Sequence, residues 1–281
     1  MKWTPGLAKA VSSLLLSSAQ REQVARVQLD DAGHGWDRFG ASPRGVELGL
    51  ALSRHLYQHY FRVRSSGAHH IPDRGAAIVV SNHSGTLPID GMMLWADILQ
   101  RTSPARVARP IADYFVPALP FISTLFARAG MVNGSRGNVH ALLDAGQLLE
   151  LFPEGVRGIG KPFSERYQLQ RWTVGHAELA IRHRVPVVPV GIVGAEEQWP
   201  QLTKIEGVQL LGVPYLPIPA TPLPMPVRYH INYGPPIHLA DDFRPEDAVD
   251  PEALGEAAAR TKAAVASLLD KGLSERKGLF R

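Results

Sequence analysis

The 281-residue sequence contains no cysteine. That absence excludes disulfide bonds, thiolate nucleophiles, and zinc or iron–sulfur sites held by cysteine. The chain also lacks a strong charge of either sign, because 30 Lys and Arg against 26 Asp and Glu leave a formal net charge of +4. So small an excess suits an anionic membrane surface or a phosphorylated ligand, and it does not indicate a nucleic-acid partner.

No run of apolar residues is long enough to cross a membrane as a helix, which needs about 20 in succession. The longest uncharged stretch, Gly207 to Val227, contains six prolines, so it does not form one hydrogen-bonded helix. In the N-terminal segment, Lys2 and Lys9 precede a short apolar part interrupted by serines, which favours an amphipathic or disordered leader over a signal peptide. We therefore expect a cytoplasmic protein that contacts the membrane peripherally.

The composition, with 45% hydrophobic and 20% charged residues, is that of a globular protein. Strand-like apolar runs alternate with helical patterns from residue 44 onward, which predicts an α/β fold with a mostly parallel or mixed central sheet flanked by helices. We expect a leader over 1–40, a single functional domain over 41–240, and a C-terminal helical extension over 241–281. Asp250 and Pro251 predict the start of that last helix, and Gly272 predicts its end.

The polar run from Asn82 to Asp90 follows the strand-like segment AIVV. It offers a histidine, His83, and a carboxylate, Asp90, which together could act as a general base and the acid that orients it. Gly85 and Pro88 predict that the next helix begins only near residue 87, leaving a loop that can fold His83 toward Asp90. The alternative is a surface histidine and an acid that merely favours the first turn of a helix.

Two further polar clusters also follow strand-like segments. Gly130 to Arg136 places an arginine in a glycine-flanked loop suited to holding phosphate, although this cluster taken alone favours a solvated arginine in a turn. Phe152 to Arg157 places a carboxylate, Glu154, and a guanidinium three residues apart on a tight turn. These groups could line a polar pocket, or they could form an exposed ion pair of little energetic weight.

The spacing of a phosphate-binding P-loop occurs between Gly155 and Lys161. The next residue is Pro162, whereas the motif requires a serine or threonine hydroxyl for magnesium. Proline also removes a backbone donor. A nucleotide-dependent enzyme is therefore disfavoured.

Taken in order, these clusters and the later segment VPVVPV resemble the four motifs of the glycerolipid acyltransferase family, which includes the lysophosphatidic acid acyltransferases. The resemblance covers roughly Tyr60 to Leu239, and its most specific part is Phe-Pro-Glu-Gly-x-Arg. The matching residues are Asn82, His83 and Asp90; Gly130 and Arg136; Phe152, Pro153, Glu154, Gly155 and Arg157; and Val185, Pro186, Val187, Val188, Pro189 and Val190.

The resemblance implies an O-acyltransferase of phospholipid biosynthesis or related lipid metabolism. Its co-substrate would be acyl-CoA or acyl-carrier protein, and its acceptor a lysophospholipid, glycerolipid or other lipid hydroxyl. No metal and no further cofactor are implied. The catalytic residues would be His83 and Asp90. The substrate-binding residues would be Asn82, Ser84, Gly85, Gly130, Arg136, Phe152, Glu154, Gly155 and Arg157.

Two features leave alternatives open. Six residues separate His83 from Asp90, where the family usually has four, and this motivates a non-catalytic, membrane-associated lipid-binding module of the same fold as the alternative function. The apolar side chains of Gly207–Val227 and of residues 110–126 could enter the membrane interface, or both segments could be loops packed on the sheet.

Overall fold

The computed structural model describes residues 12–31, 33–84, 88–112, 122–210 and 213–280, without the side chains of 122, 206–210 and 213–214. The predicted α/β fold is confirmed, because a seven-stranded mixed sheet is flanked by helices in a single domain. No helix of this part of the chain is both long enough and apolar enough to span a membrane.

The strands form where short apolar runs occur between turn residues. Ala77–Ser81 and Val187–Val193 are buried along their whole length, as expected for strands covered on both faces. The strands are β1 (Arg64–Ser66), β2 (Ala77–Ser81), β3 (Ala108–Ala112), β4 (Val132–Asn133), β5 (Leu148–Leu151), β6 (Val187–Val193), β7 (Gln201–Leu210), β8 (Val213–Pro219) and β9 (His230–Tyr233).

The main sheet has the strand order β1-β9-β6-β2-β5-β3-β4. Neighbouring strands are parallel except β6 and β9, which are antiparallel. The carboxyl ends of β2, β5 and β6 therefore lie at one edge of the sheet, together with the amino ends of β1 and β9. We call this edge the site edge, because the polar run after β2 begins there.

The helices cover both faces of the sheet. They are α1 (Ser18–Ala25), α2 (Pro43–His55), α3 (Ile89–Arg101), α4 (Ile122–Ala129), α5 (Arg136–Asp144), α6 (Val156–Ile159), α7 (Gly175–His183), α8 (Ala195–Gln198) and α9 (Pro251–Glu275). Alternate residues of β2 point to opposite faces: Val79 packs in the cluster that contains Met93 of α3, and Ile78 packs in the cluster that contains Ile181 of α7.

The C-terminal helix begins as predicted but does not end as predicted. Asp250 caps the backbone N–H of Glu252, with Pro251 at the first helical position. The helix runs through Gly272 to Glu275, so the prediction that Gly272 closes it is wrong. A Cβ at Gly272 would lie 2.7 Å from the side-chain nitrogen of Asn232 in β9. The absence of a side chain at Gly272 therefore allows α9 to pack closely on the sheet.

The proline-rich stretch of the sequence forms part of a two-stranded hairpin, β7–β8, outside the main sheet. Gln201 Nε2 donates to the carbonyl oxygen of Gly160 at 3.2 Å. A Cβ at Gly160 would lie 2.9 Å from the hydroxyl oxygen of Tyr215 in β8. The hairpin is thus packed directly on the segment that follows α6. Of the other proposed membrane-facing segment, 113–121 lie outside the described residues.

Candidate active site

His83 and Asp90 meet at the site edge of the sheet. His83 follows the end of β2 by two residues, and Asp90 lies in the first turn of α3. The imidazole Nδ1 is 2.8 Å from Asp90 Oδ2, with 12% of the His83 side chain exposed and none of the Asp90 side chain. The six intervening residues therefore do not keep the pair apart, which removes the observation that motivated the non-catalytic alternative.

The hydrogen bonds of Asp90 set the tautomer of His83. Asp90 also accepts from the backbone N–H of Ser84 at 2.8 Å and of Gly91 at 2.9 Å. Hydrogen bonds of this kind stabilise the charged carboxylate, which has no proton to donate. The proton of the neutral imidazole is therefore on Nδ1, and Nε2 keeps the lone pair that a general base needs.

The ring of Phe152 contacts the imidazole of His83. Phe152 follows β5, the neighbour of β2, and its ring stacks on His83 with centroids 4.3 Å apart and planes inclined by 27°. A Cβ at Gly91 would lie 3.3 Å from the same ring. Phe152 therefore restricts the orientation of His83 and shields one face of the imidazole from water.

The turn α6 packs on the backbone of His83 through Gly158. A Cβ at Gly158 would lie 2.6 Å from the carbonyl oxygen of His83, a distance that no side chain tolerates without backbone movement. Gly155, which precedes the turn, has a φ of 54° and a ψ of −142°, a conformation that favours glycine. Sequence reasoning singled out Gly155 but missed Gly158, although it directly follows Arg157 in the third motif.

Glu154 is buried beside the imidazole. One of its oxygens, Oε2, accepts from the backbone N–H of Gln170 at 3.1 Å, and burial raises the pKa of the carboxyl while Lys161 and His83 oppose the rise. Lys161 itself forms a buried ion pair with Glu196 at 3.0 Å. A series of buried ionisable groups thus extends from the site into the interior, and of these only Glu154 was predicted as a site residue.

Glu150 is a fully buried acid on β5 that sequence reasoning also missed. It pairs with Val79 in register, so it faces α3 from beneath Asp90. Neither of its oxygens has a hydrogen-bond partner among the described residues. Burial, and secondarily the charge of Asp90, hold the pKa of this carboxyl well above its usual range. The available signal was an acid inside the apolar strand LLEL.

Asn82 and Ser84 are both buried next to the site. The Asn82 amide donates to the carbonyl oxygen of Ile192 at 3.1 Å and accepts from its N–H at 2.8 Å, which fastens the end of β2 to β6. Ser84 presents a buried hydroxyl that has no partner in the described part of the chain. Gly85 lies outside the described residues.

The two candidate arginines occupy different places. Arg157 is exposed on α6, next to Gly158, and makes no ion pair with any described residue. Arg136 begins α5 after the edge strand β4, is 76% exposed, and pairs with Glu178. Since β4 lies three strands from β2, about 14 Å away, Arg136 does not reach His83.

Gly130 lies far from the imidazole and has a local role. It adopts a φ of 113° in the turn before β4, and a Cβ there would lie 3.1 Å from Val107 Cγ1. Only glycine adopts this conformation readily. Among the described residues, no group of three or more histidine, aspartate or glutamate side chains is placed to hold a metal ion.

Comparison with known proteins gives three consistent findings. A family model described as acyltransferase matches residues 62–193. An uncharacterized protein of Mycobacterium tuberculosis is 36% identical over 255 residues, covering 87% of this chain and 71% of that protein. A human protein described as a DGAT1/2-independent enzyme synthesizing storage lipids is 30% identical over 211 residues, covering 73% of this chain and 60% of that protein.

The solved structures agree with the fold. The crystal structure of PlsC, the 1-acyl-sn-glycerophosphate acyltransferase of Thermotoga maritima, matches with a TM-score of 0.57 at 16% identity. The match covers 84% of this chain and 83% of that one. At this identity the likeness establishes a shared architecture.

Proposed function

The chain belongs to the acyltransferase family, and we propose that it moves a fatty acyl group from acyl-CoA or acyl-carrier protein to the hydroxyl of a lipid acceptor. The observation that carries the proposal is the contact of 2.8 Å between His83 Nδ1 and the buried Asp90, which leaves Nε2 available as a base. The printed descriptions of the human relative and of the Thermotoga enzyme support an acceptor of the glycerolipid or lysophospholipid class.

The proposed reaction is a direct transfer. His83 Nε2 accepts the proton of the acceptor hydroxyl while that oxygen attacks the carbonyl carbon of the thioester. The carbon–sulfur bond then breaks, and the imidazolium returns its proton to the departing thiolate. The result is an ester and a free thiol, with no covalent acyl-enzyme. Positioned general-base catalysis of this kind typically contributes about 10²–10⁴-fold to the rate.

Asp90 supports this step through charge. When the imidazole takes a proton, the adjacent carboxylate stabilises the cation that forms. Burial strengthens the interaction, because solvent does not screen it. The two backbone N–H donors hold Asp90 so that it faces Nδ1.

Arg157 is the better supported of the two phosphate-binding candidates. Its guanidinium is exposed on the turn that packs on His83, and it pairs with no acid among the described residues. We propose that it holds a phosphate of the acceptor or of the acyl carrier. Arg136 would contribute only after leaving Glu178. Glu154 and Gly155 would shape the acceptor pocket next to the imidazole.

A water-insoluble acceptor and a long acyl chain imply that the reaction takes place at a membrane surface. Each methylene of the chain that leaves water contributes about 0.8 kcal/mol to binding. We therefore propose peripheral association with the cytoplasmic face of a membrane. The exposed side chains of Leu202 and Ile205 on the hairpin β7–β8 are compatible with this location.

The test is acyl transfer by the His83→Ala variant, with radiolabelled acyl-CoA and a panel of lysophospholipid and glycerolipid acceptors. Transfer should fall by about 10²-fold or more, because the base is lost. The matched control is His59→Ala, which removes an exposed histidine whose ring contacts His55 and should keep wild-type activity. Wild-type rates in the His83→Ala variant, at unchanged thermal stability, would exclude this mechanism.

A further inference from the structure

Three arginines, Arg62, Arg64 and Arg228, lie at the site edge of the sheet. Arg64 begins β1 opposite His230 of β9, and Arg228 lies two residues before His230. His230 in turn pairs with Val193, the last residue of β6. Since β6 is parallel to β2, these arginines lie at the edge where His83 follows β2.

Exposed apolar side chains lie on the two segments that Arg62 joins. Arg62 donates to the carbonyl oxygens of Pro226 at 2.6 Å and Phe280 at 3.4 Å, which joins the segment after the hairpin to the C-terminal tail. On these two segments, 73% of Leu223 and 52% of Phe280 are exposed. We call the surface formed by Arg62, Arg64, Arg228, Leu223, Leu279 and Phe280 the arginine face.

No ion pair within the described chain neutralises the arginines of the arginine face, although Glu275 lies close enough to act on His230 between them. Neither Arg64 nor Arg228 forms an ion pair there, whereas the neighbouring Arg276 pairs with Glu197 at 2.6 Å. Arg228 Nε is buried without a hydrogen-bond partner among the described residues. Burial, and then the charges of Arg64 and Arg62, lower the pKa of Arg228. An anion at this surface would relieve that repulsion.

We propose that the arginine face binds the surface of a bilayer that contains anionic lipids. The guanidinium groups contact the headgroup phosphates, and Leu223 and Phe280 enter the interfacial layer. The inference rests on the proposed function in one respect, since lipid substrates require contact with a membrane. Because the arginine face and His83 share one edge of the sheet, binding would bring the site toward the lipid.

The experiment is co-sedimentation of the full chain with vesicles of phosphatidylcholine alone and of equal parts phosphatidylcholine and phosphatidylglycerol. The wild type should bind the anionic vesicles more tightly. The double variant Arg64→Gln/Arg228→Gln should lose about fivefold in partitioning for each arginine removed. Leu223→Ser should weaken binding to both kinds of vesicle. Arg74→Gln/Arg184→Gln removes the same charge from exposed positions before β2 and β6, at the opposite edge, and should bind like the wild type.

Two results would overturn the proposal. One is equal binding of the wild type and the Arg64→Gln/Arg228→Gln variant to anionic vesicles. The other is a loss of affinity for free coenzyme A in that variant with vesicle binding unchanged, which would assign the arginines to the phosphorylated acyl carrier. The His83→Ala variant should sediment like the wild type. Failure of the proposed chemistry and failure of membrane binding are thus separate observations.

Discussion

Asp90 in the first turn of α3 and Glu150 on the strand beneath that helix are two buried carboxyl groups with different surroundings. Asp90 accepts hydrogen bonds from His83 and from two backbone N–H groups, which stabilise its negative charge. Glu150 has no partner in the described chain, and the charge of Asp90 adds to the effect of burial. Burial therefore favours the uncharged form of Glu150, whereas the hydrogen bonds to Asp90 keep a negative charge next to the imidazole.

This difference predicts opposite outcomes for two isosteric substitutions. Glu150→Gln replaces the carboxyl, whose uncharged form burial favours, by an uncharged amide of similar shape, and should keep acyl transfer within about threefold of the wild type. Asp90→Asn removes the charge that stabilises the imidazolium and should reduce kcat by about 10²-fold or more. Initial rates and circular dichroism of both variants check this expectation. A Glu150→Gln variant as inactive as Asp90→Asn would show that Glu150 is charged during the reaction.

At the scale of elements, the site depends on how closely the turn α6 approaches the loop after β2. That approach is possible because position 158 has no side chain, and the carbonyl oxygen of His83 occupies the place of a Cβ. The turn is fixed from the other side by Gln201 and Tyr215 of the hairpin, which contact Gly160. The hairpin therefore supports the active-site turn, in addition to presenting apolar side chains to solvent.

Gly158→Ala should consequently displace His83. A shift of about 1 Å at a catalytic group commonly costs about 10²-fold in rate, and the overlap should lower the free energy of unfolding by about 1–3 kcal/mol. Activity and urea denaturation measure the two effects. The control is Gly255→Ala in α9, where a Cβ meets no atom within 4 Å, so activity should be unchanged. Normal activity of Gly158→Ala would show that the loop after β2 tolerates movement.

At the scale of the whole molecule, buried ionisable groups couple folding to pH with opposite signs. Burial lowers the pKa of His176 to about 4, whereas it raises the pKa of Glu196 to about 7 despite the neighbouring Lys161. Below the ordinary pKa of histidine, the unfolded chain binds more protons at His176 than the folded chain does, so its contribution to stability is lost as pH falls. Glu196 has the reverse effect, because the folded chain holds its proton to higher pH.

Replacing His176 removes its contribution to the pH dependence of stability and leaves that of Glu196 unchanged. Between pH 6.5 and about 4 the histidine should cost the wild type up to about 3 kcal/mol of unfolding free energy. The stability of His176→Gln should therefore fall less steeply than that of the wild type over this range, as measured by urea denaturation at several pH values. His69→Gln, which replaces an exposed histidine, is the matched control and should follow the wild type. Parallel curves for all three proteins would contradict the assignment.

Much of the architecture followed from local patterns. The α/β class and the capped start of the last helix are visible in the sequence because strand and helix periodicities of apolar residues are local properties. The end of that helix was not visible. Gly272 looks like a stop signal by residue type, yet its conformation is decided by contact with β9, about forty residues away in the chain.

Residue types and their order along the chain already identify the groups that are available for chemistry: a histidine and an acid after β2, and an acid and an arginine after β5. Which of these groups meet depends on the folded arrangement of the strands. It brought His83 onto Asp90, placed Arg136 at the far edge of the sheet, and set the unpredicted Glu150 and Gly158 against the site. It also assembled the arginine face from three separate parts of the chain. Such contacts depend on strand pairing and packing between distant segments, and neither residue type nor local spacing encodes them.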